Sequence, residues 1–141
     1  MNSVSITIPG LPIAQPRHKA TTIGGAARMY LSSSHPVHAF KAALRLAWPT
    51  DAKFTGAVSL TIDCLFPRPA RLETKSKREK QFVVTTKPDC DNLGKSVMDG
   101  LNGVAWDDDK QVCRLVVTKN YALSGRAGEV RIVAVKVEGE T

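Results

Sequence analysis

The chain predicts an α+β fold: a four-stranded mixed sheet with two main helices packed on one of its faces. Three observations predict it. Four stretches alternate apolar with polar residues or run rich in valine. Two others place apolar residues at helical spacing. Their order along the chain is β-α-β-loop-α-β-β. The 141 residues, 43% hydrophobic and 23% charged, suit one ordered domain over residues 1–141. No internal repeat or linker composition interrupts it.

The first strand is Val4, Ile6 and Ile8 alternating with Ser3, Ser5 and Thr7, stopped by Pro9-Gly10. Residues 10–34 are rich in Pro, Gly and Ser and read as one long loop. Such length in a small domain points to a functional segment. Its Arg17, His18, Lys19 and Arg28 offer contacts to phosphates, although a solvated basic loop has the same composition. Ser34 is placed to cap a helix reaching about Trp48, with Val37, Phe40, Ala43, Leu44 and Ala47 on one face.

The next strand is the clearest. Val58, Leu60, Ile62, Cys64 and Phe66 face one way, and Ser59, Thr61, Asp63 and Leu65 the other, until Pro67. Residues 68–80 follow with six basic side chains, Arg68, Arg71, Lys75, Lys77, Arg78 and Lys80, against two acidic ones, a local charge of +4. A flexible DNA-contacting arm is expected here, with Lys87 just beyond it; a solvated surface loop is the plainer alternative. After the second helix, residues 112–119 and 129–137 form two Val-rich strands, and "NYALSGRAG" between them reads as a hairpin loop.

Charge and cysteine usage narrow the function. A net charge of +7 favours a polyanionic partner such as nucleic acid. Cys64, Cys90 and Cys113 contain no C-x-x-C pair, which argues against a zinc finger. Three unpaired cysteines without a signal peptide fit reduced thiols in the cytoplasm, read most simply as small buried apolar residues. No apolar run is long enough for a membrane span.

The informative stretch is "KPDCDNLGKSVMDGLNGVAWDDDKQ", residues 87–111. Asp89 or Asp91 can cap a helix that runs to about Leu101 and ends at Gly103. At about 100° per residue, Leu93, Val97 and Leu101 fall on one side and Asp91, Lys95 and Asp99 on the other. An ordinary ion pair between Asp91 and Lys95 explains the first carboxylate. It does not explain Asp107, Asp108 and Asp109, three consecutive charges that repel one another. A hairpin-like path would return Asp109 beside Asp89 and Asp91. Three carboxylates there make a hard-oxygen site suited to Mg²⁺, with Mn²⁺ as the alternative. Such a metal polarises a phosphodiester and activates water, and Lys95 would stabilise developing negative charge. No phosphate-binding G-x-x-x-x-G-K-[ST] loop and no G-x-S-x-G elbow is present. His18, His35 and His38 show no spacing that suggests a catalytic base.

The stretch resembles the signature of the RusA family of Holliday-junction resolvases, often carried by phages and prophages. The family pattern is D-x-D-N-L-x-K, a D-x-L helix end, then D-D-x-Q at a strand start. Here these are Asp89, Asp91, Asn92, Leu93 and Lys95, then Asp99 and Leu101, then Asp108, Asp109 and Gln111. "GLPIAQPRHK" with Met29-Tyr30 is similar to the family's N-terminal region. The resemblance implies a RusA-like fold, catalytic and metal-binding roles for Asp89, Asp91 and Asp109, a catalytic role for Lys95, and an assisting metal position at Asp108. It also implies a homodimer with two Mg²⁺-dependent sites that cuts opposing strands of a four-way junction symmetrically. Departures are Cys90 in place of an apolar residue, Gly94 inside the helix, and Asp107 as a third consecutive acid. Spacing to Gln111 favours Asp109 among the three as metal ligand. A non-catalytic branched-DNA-binding protein and a nuclease for other branched DNA are the alternative readings.

Overall fold

Residues 2–16, 19–23, 26–30 and 32–139 are described by the structure, a computed structural model; for 19–23 and 26–30 the description is of backbone. The strands are β1 (Ser3–Pro9), β2 (Lys19–Ile23), β3 (Ala26–Tyr30), β4 (Val58–Phe66), β5 (Val112–Tyr121) and β6 (Glu129–Lys136). The helices are α1 (Pro36–Ala47) and α2 (Cys90–Leu101), with short 3₁₀ turns at Ala70–Leu72 and Asp109–Gln111. The main sheet has the order β1-β6-β4-β5. β4 and β5 are parallel, and the other pairs are antiparallel, so the sheet is mixed.

Alternation in β4 works as expected. Val58, Leu60, Ile62, Cys64 and Phe66 are buried, and the residues between them are half-buried. Val37, Phe40 and Leu44 of α1 and Leu93, Val97 and Leu101 of α2 join these residues in one core. Val4, Ile8, Val130, Ile132 and Ala134 complete it from β1 and β6. Ser3, Ser5, Thr7 and Arg131 on the opposite face are exposed, so both helices cover one face only.

Three expectations need correction. The loop of residues 10–34 contains an antiparallel pair, β2 with β3, in which Lys19 lies opposite Tyr30 and Ile23 opposite Ala26. The sequence signal was Gly24-Gly25 between two short β-compatible runs, a common hairpin composition. Second, α1 is capped by His35 rather than Ser34. Pro36 takes the first helical position, where its fixed φ suits the helix, and His35 Nδ1 accepts from the Val37 N–H at 3.0 Å. Third, β5 and β6 do not form a hairpin, because β4 lies between them. α2 is the crossover that makes β4 and β5 parallel. The strongly apolar β6 then takes the inner place between β1 and β4, and the more exposed β5 takes the edge.

Candidate active site

α2 is set by its buried stripe. With Leu93, Val97 and Leu101 turned inward, Asp91 and Lys95 are exposed and Asp99 is half-buried, as the wheel requires. Asp89 is the N-cap residue, extended in backbone, and its side chain makes no capping hydrogen bond. The approach to α2 is braced by Lys119, whose Nζ donates to the carbonyls of Thr86 and Pro88, each at 2.8 Å. Gly94 lets the helix lie close to β5: a Cβ there would stand 3.2 Å from the side chains of both Leu115 and Val117. Gly100 does the same toward α1, where a Cβ would meet Leu44 at 2.9 Å. That closeness lets Lys41 of α1 reach Asp99 at 4.0 Å.

The second acidic segment returns through "LNGVAW". Gly103 has φ +81, a left-handed turn that glycine adopts without a Cβ clash. Trp106 is fully buried, packs edge-on to Trp48 with centroids 6.3 Å apart, and donates from Nε1 to Asn102 Oδ1 at 2.8 Å. Gln111 then holds the turn. Its Oε1 accepts from the N–H groups of Asp107 and Asp108, at 2.9 and 3.3 Å, and its Nε2 donates to the carbonyls of Phe54 and Gly56, at 3.0 and 3.1 Å.

The three consecutive aspartates are thereby given different surroundings. Asp107 pairs with Lys53 at 2.5 Å. Asp108 caps the short turn, accepting from the Lys110 N–H at 2.9 Å, and that bond holds its carboxyl below the usual carboxylate range. Asp109 is half-buried, and its carboxyl is pushed up, first by burial and then by Asp108 and the charge on Asp99. The Lys95 ammonium opposes this rise. Asp109 thus lies within range of the charges on Asp99 and Lys95. Lys95 is one turn, about 6 Å along the axis, from Asp91. Among the described residues no three His, Cys, Asp or Glu side chains form a group arranged to hold a metal ion. The donors offered by Asp89, Asp91, Asp108 and Asp109 are all carboxylate oxygens, the chemistry that Mg²⁺ and Mn²⁺ accept. Mg²⁺ characteristically takes one or two carboxylates and keeps several waters, so a preformed three-carboxylate cage is not required.

The basic segment differs from a free arm. Arg68 folds it: Nε donates to the Ala122 carbonyl at 2.7 Å, and the terminal nitrogens donate to Leu72 at 3.2 Å, Lys77 at 2.9 Å, and Lys80. Its guanidinium also lies over Phe82, 5.5 Å from the ring centre. Arg68 is thus committed to backbone carbonyls rather than offered to phosphate. Arg71, Lys75, Lys77, Arg78 and Lys80 are exposed. Lys87 is exposed as well and lines a cleft with Gln15, Pro16, Pro88, Asp89 and Asn92. Arg17 lies outside the described residues, as do the side chains of Lys19 and Arg28. Of the cysteines, Cys64 is buried, and burial pushes its thiol up to about 12. Cys90 and Cys113 are exposed, contrary to their reading as buried residues; Cys90 opens α2 and Cys113 lies on the edge strand β5. Sequence reasoning missed Gln15 and the bracing role of Gln111. The position of Gln111 in the acidic motif was the available signal for the latter.

Among the described residues no helix is long and apolar enough to cross a membrane. Two comparisons extend beyond the geometry. A protein of Bacillus subtilis (strain 168), named "Uncharacterized protein YqaN", is 32% identical over 128 residues, covering 86% of this chain and 90% of that protein. The family model described as "Endodeoxyribonuclease RusA" matches residues 9–133, which contain α2, the acidic turn and most of the sheet. The chain belongs to the RusA endodeoxyribonuclease family.

Proposed function

We propose that this chain is a Mg²⁺-dependent endodeoxyribonuclease that resolves four-way DNA junctions by paired, symmetric phosphodiester hydrolysis, with Mn²⁺ as an alternative metal. Residues 1–141 act as one endonuclease domain in a homodimer, in the cytoplasm of a bacterium or a phage-infected host. The observation that carries the reading is the exposed stripe of α2 that bears Asp91 and Lys95, with Asp89 at the helix start and Asp109 within range of the Lys95 charge. The family match supports the same reaction class.

Asp89, Asp91 and Asp109, with Asp108 beside them, would hold the metal through their carboxylate oxygens. Bound there, the metal polarises the phosphodiester and lowers the pKa of a water nucleophile. Lys95 donates to the phosphoryl oxygens as negative charge develops on them. Arg71, Lys75, Lys77, Arg78, Lys80 and Lys87 hold flanking phosphates and set affinity rather than chemistry. A four-way junction has two-fold symmetry, so a two-fold dimer presents one site to each of two strands.

The test is cleavage of a labelled synthetic four-way junction with Mg²⁺ or EDTA, beside Asp91→Asn. Paired symmetric nicks, absent in EDTA and reduced about 10²-fold or more in the variant, are expected. Junction affinity in Ca²⁺ should be unchanged or higher, because removing a negative charge does not weaken phosphate contacts. Tight binding with no cutting in any divalent metal would identify a branched-DNA-binding protein instead. Faster cutting of flaps than of junctions would identify a nuclease for other branched DNA.

A further inference from the structure

Cys90 is the first residue of α2 and stands between Asp89 and Asp91. It is exposed, and its Sγ donates to the Val117 carbonyl at 3.7 Å, so the sulfur is directed down onto β5. Two residues beyond Val117 comes Lys119, whose partner across the parallel pair is Cys64 of β4. Cys64 is 1% exposed and belongs to the core face of the sheet, the face that α2 covers. Lys119 reaches the same approach to α2, donating to the carbonyls of Thr86 and Pro88 at 2.8 Å each. Residues 86–90 therefore pass over the part of β4 and β5 where Cys64 lies. Burial pushes the Cys64 thiol up to about 12, and the charge on Cys90 adds to the rise, so each sulfur lies in the other's field. Cys113 stands apart from this pair, at the opposite end of β5, with its Sγ 3.6 Å from the Val58 carbonyl.

The two thiols differ in access. An oxidant in solution meets Cys90 first, because Cys64 is shielded in the core. Sulfurs joined in a disulfide stand about 2 Å apart. Closing a bridge here draws the first turn of α2 onto β4 and moves the two carboxylates that flank Cys90.

We propose that Cys90 is an oxidation site for peroxides and that Cys64 resolves it, closing a disulfide that ties the start of α2 to β4 and takes the acidic site out of use. The Cys90 sulfur takes one oxygen from hydrogen peroxide, giving a sulfenic acid and one water. The Cys64 sulfur then displaces the hydroxyl and forms the S–S bond, and its proton leaves with that hydroxyl as a second water. Two thiols are oxidised and one peroxide is reduced. The bridge stands on the placement of the two cysteines; only the loss of metal binding and cutting rests on the endonuclease reading above.

The test uses the full chain with Cys113→Ser, which leaves this pair as the available thiols. It is treated with hydrogen peroxide and mapped by mass spectrometry without reduction. A Cys64–Cys90 cross-linked peptide is expected. Mn²⁺ affinity, read from the electron-spin signal of the free ion, should fall about tenfold or more, since ligand orientation is lost. Junction cutting should fall with it, and dithiothreitol should reverse all three changes. Adding Cys90→Ser should leave cutting at that variant's own untreated rate after peroxide. Adding Cys64→Ala, or Cys64→Val if the first fails to fold, should halt the reaction at a Cys90 sulfenic acid that dimedone traps. A persistent sulfenic acid in the Cys113→Ser chain, or bridges only between molecules, would overturn the proposal. Equal loss of Mn²⁺ affinity without Cys64 would overturn the role of the bridge. Unchanged Mn²⁺ affinity and cutting after bridging would overturn the switch. A bridge in a chain that neither binds Mn²⁺ nor cuts when reduced sinks the endonuclease reading and leaves the cross-link standing.

Discussion

At the level of single residues, the acidic motif divides into groups with different tasks. Asp107 is held by Lys53, Asp108 by its own turn, and Asp109 is half-buried within range of the charges on Lys95 and Asp99. Gln111 maintains that division through four hydrogen bonds, two of them to the distant carbonyls of Phe54 and Gly56. Gln111→Leu should therefore lower stability by about 2 kcal/mol in a urea melt, since each net bond contributes roughly 0.5–1.5 kcal/mol and the site is partly exposed. Cleavage by the folded variant should fall further than its stability explains, because Asp109 is no longer aimed. Equal activity per folded molecule would contradict that role. The stripe of Asp91, Lys95 and Asp99 was legible from the sequence, because a helix repeats about every 3.6 residues wherever it sits. The surroundings of each aspartate in the triplet were not legible, because they depend on carbonyls some 55 residues away in the chain.

Secondary-structure elements meet at two glycines, and these should behave differently. At Gly100 a methyl group would press on Leu44 at 2.9 Å and on the Lys41 backbone at 3.3 Å, where α1 has no room to retreat. Gly100→Ala should cost about 1–3 kcal/mol and loosen the Lys41–Asp99 pair. At Gly94 the nearest atoms belong to the side chains of Leu115 and Val117, and Leu115 is 40% exposed and free to turn aside. Gly94→Ala should be close to neutral, since an alanine gain of up to about 1 kcal/mol in helix propensity offsets the crowding. Thermal melts of the two variants, side by side, check the contrast. The basic segment is likewise a folded element rather than a tether. Arg68→Ala should raise the rate of tryptic cleavage at Lys75, Lys77 and Lys80 several-fold, with little change in global melting. An unchanged digestion rate would show that the four carbonyl contacts do not order the segment.

Across the molecule, a net charge of +7 coexists with an acidic edge on α2. The exposed arm supplies much of the positive field, so it should dominate the salt dependence of DNA binding. In EDTA, the slope of log K against log salt should flatten by up to about 0.9 for each of Arg71, Lys75, Lys77, Arg78 and Lys80 replaced by Ala. Unchanged slopes across that series would remove the arm from the DNA interface. The sequence by itself determined the four main strands, the two helices with their buried faces, and the acidic signature that carries the family. Each of these is a local repeat or a contiguous pattern, which needs only neighbours along the chain. Tertiary structure alone decided that β6 enters the sheet beside β4 while β5 goes to its edge, because strand order follows competition for buried positions between distant segments. It alone committed Arg68 to carbonyls and placed Gln15 against the start of α2, because both depend on where backbone far along the chain comes to rest.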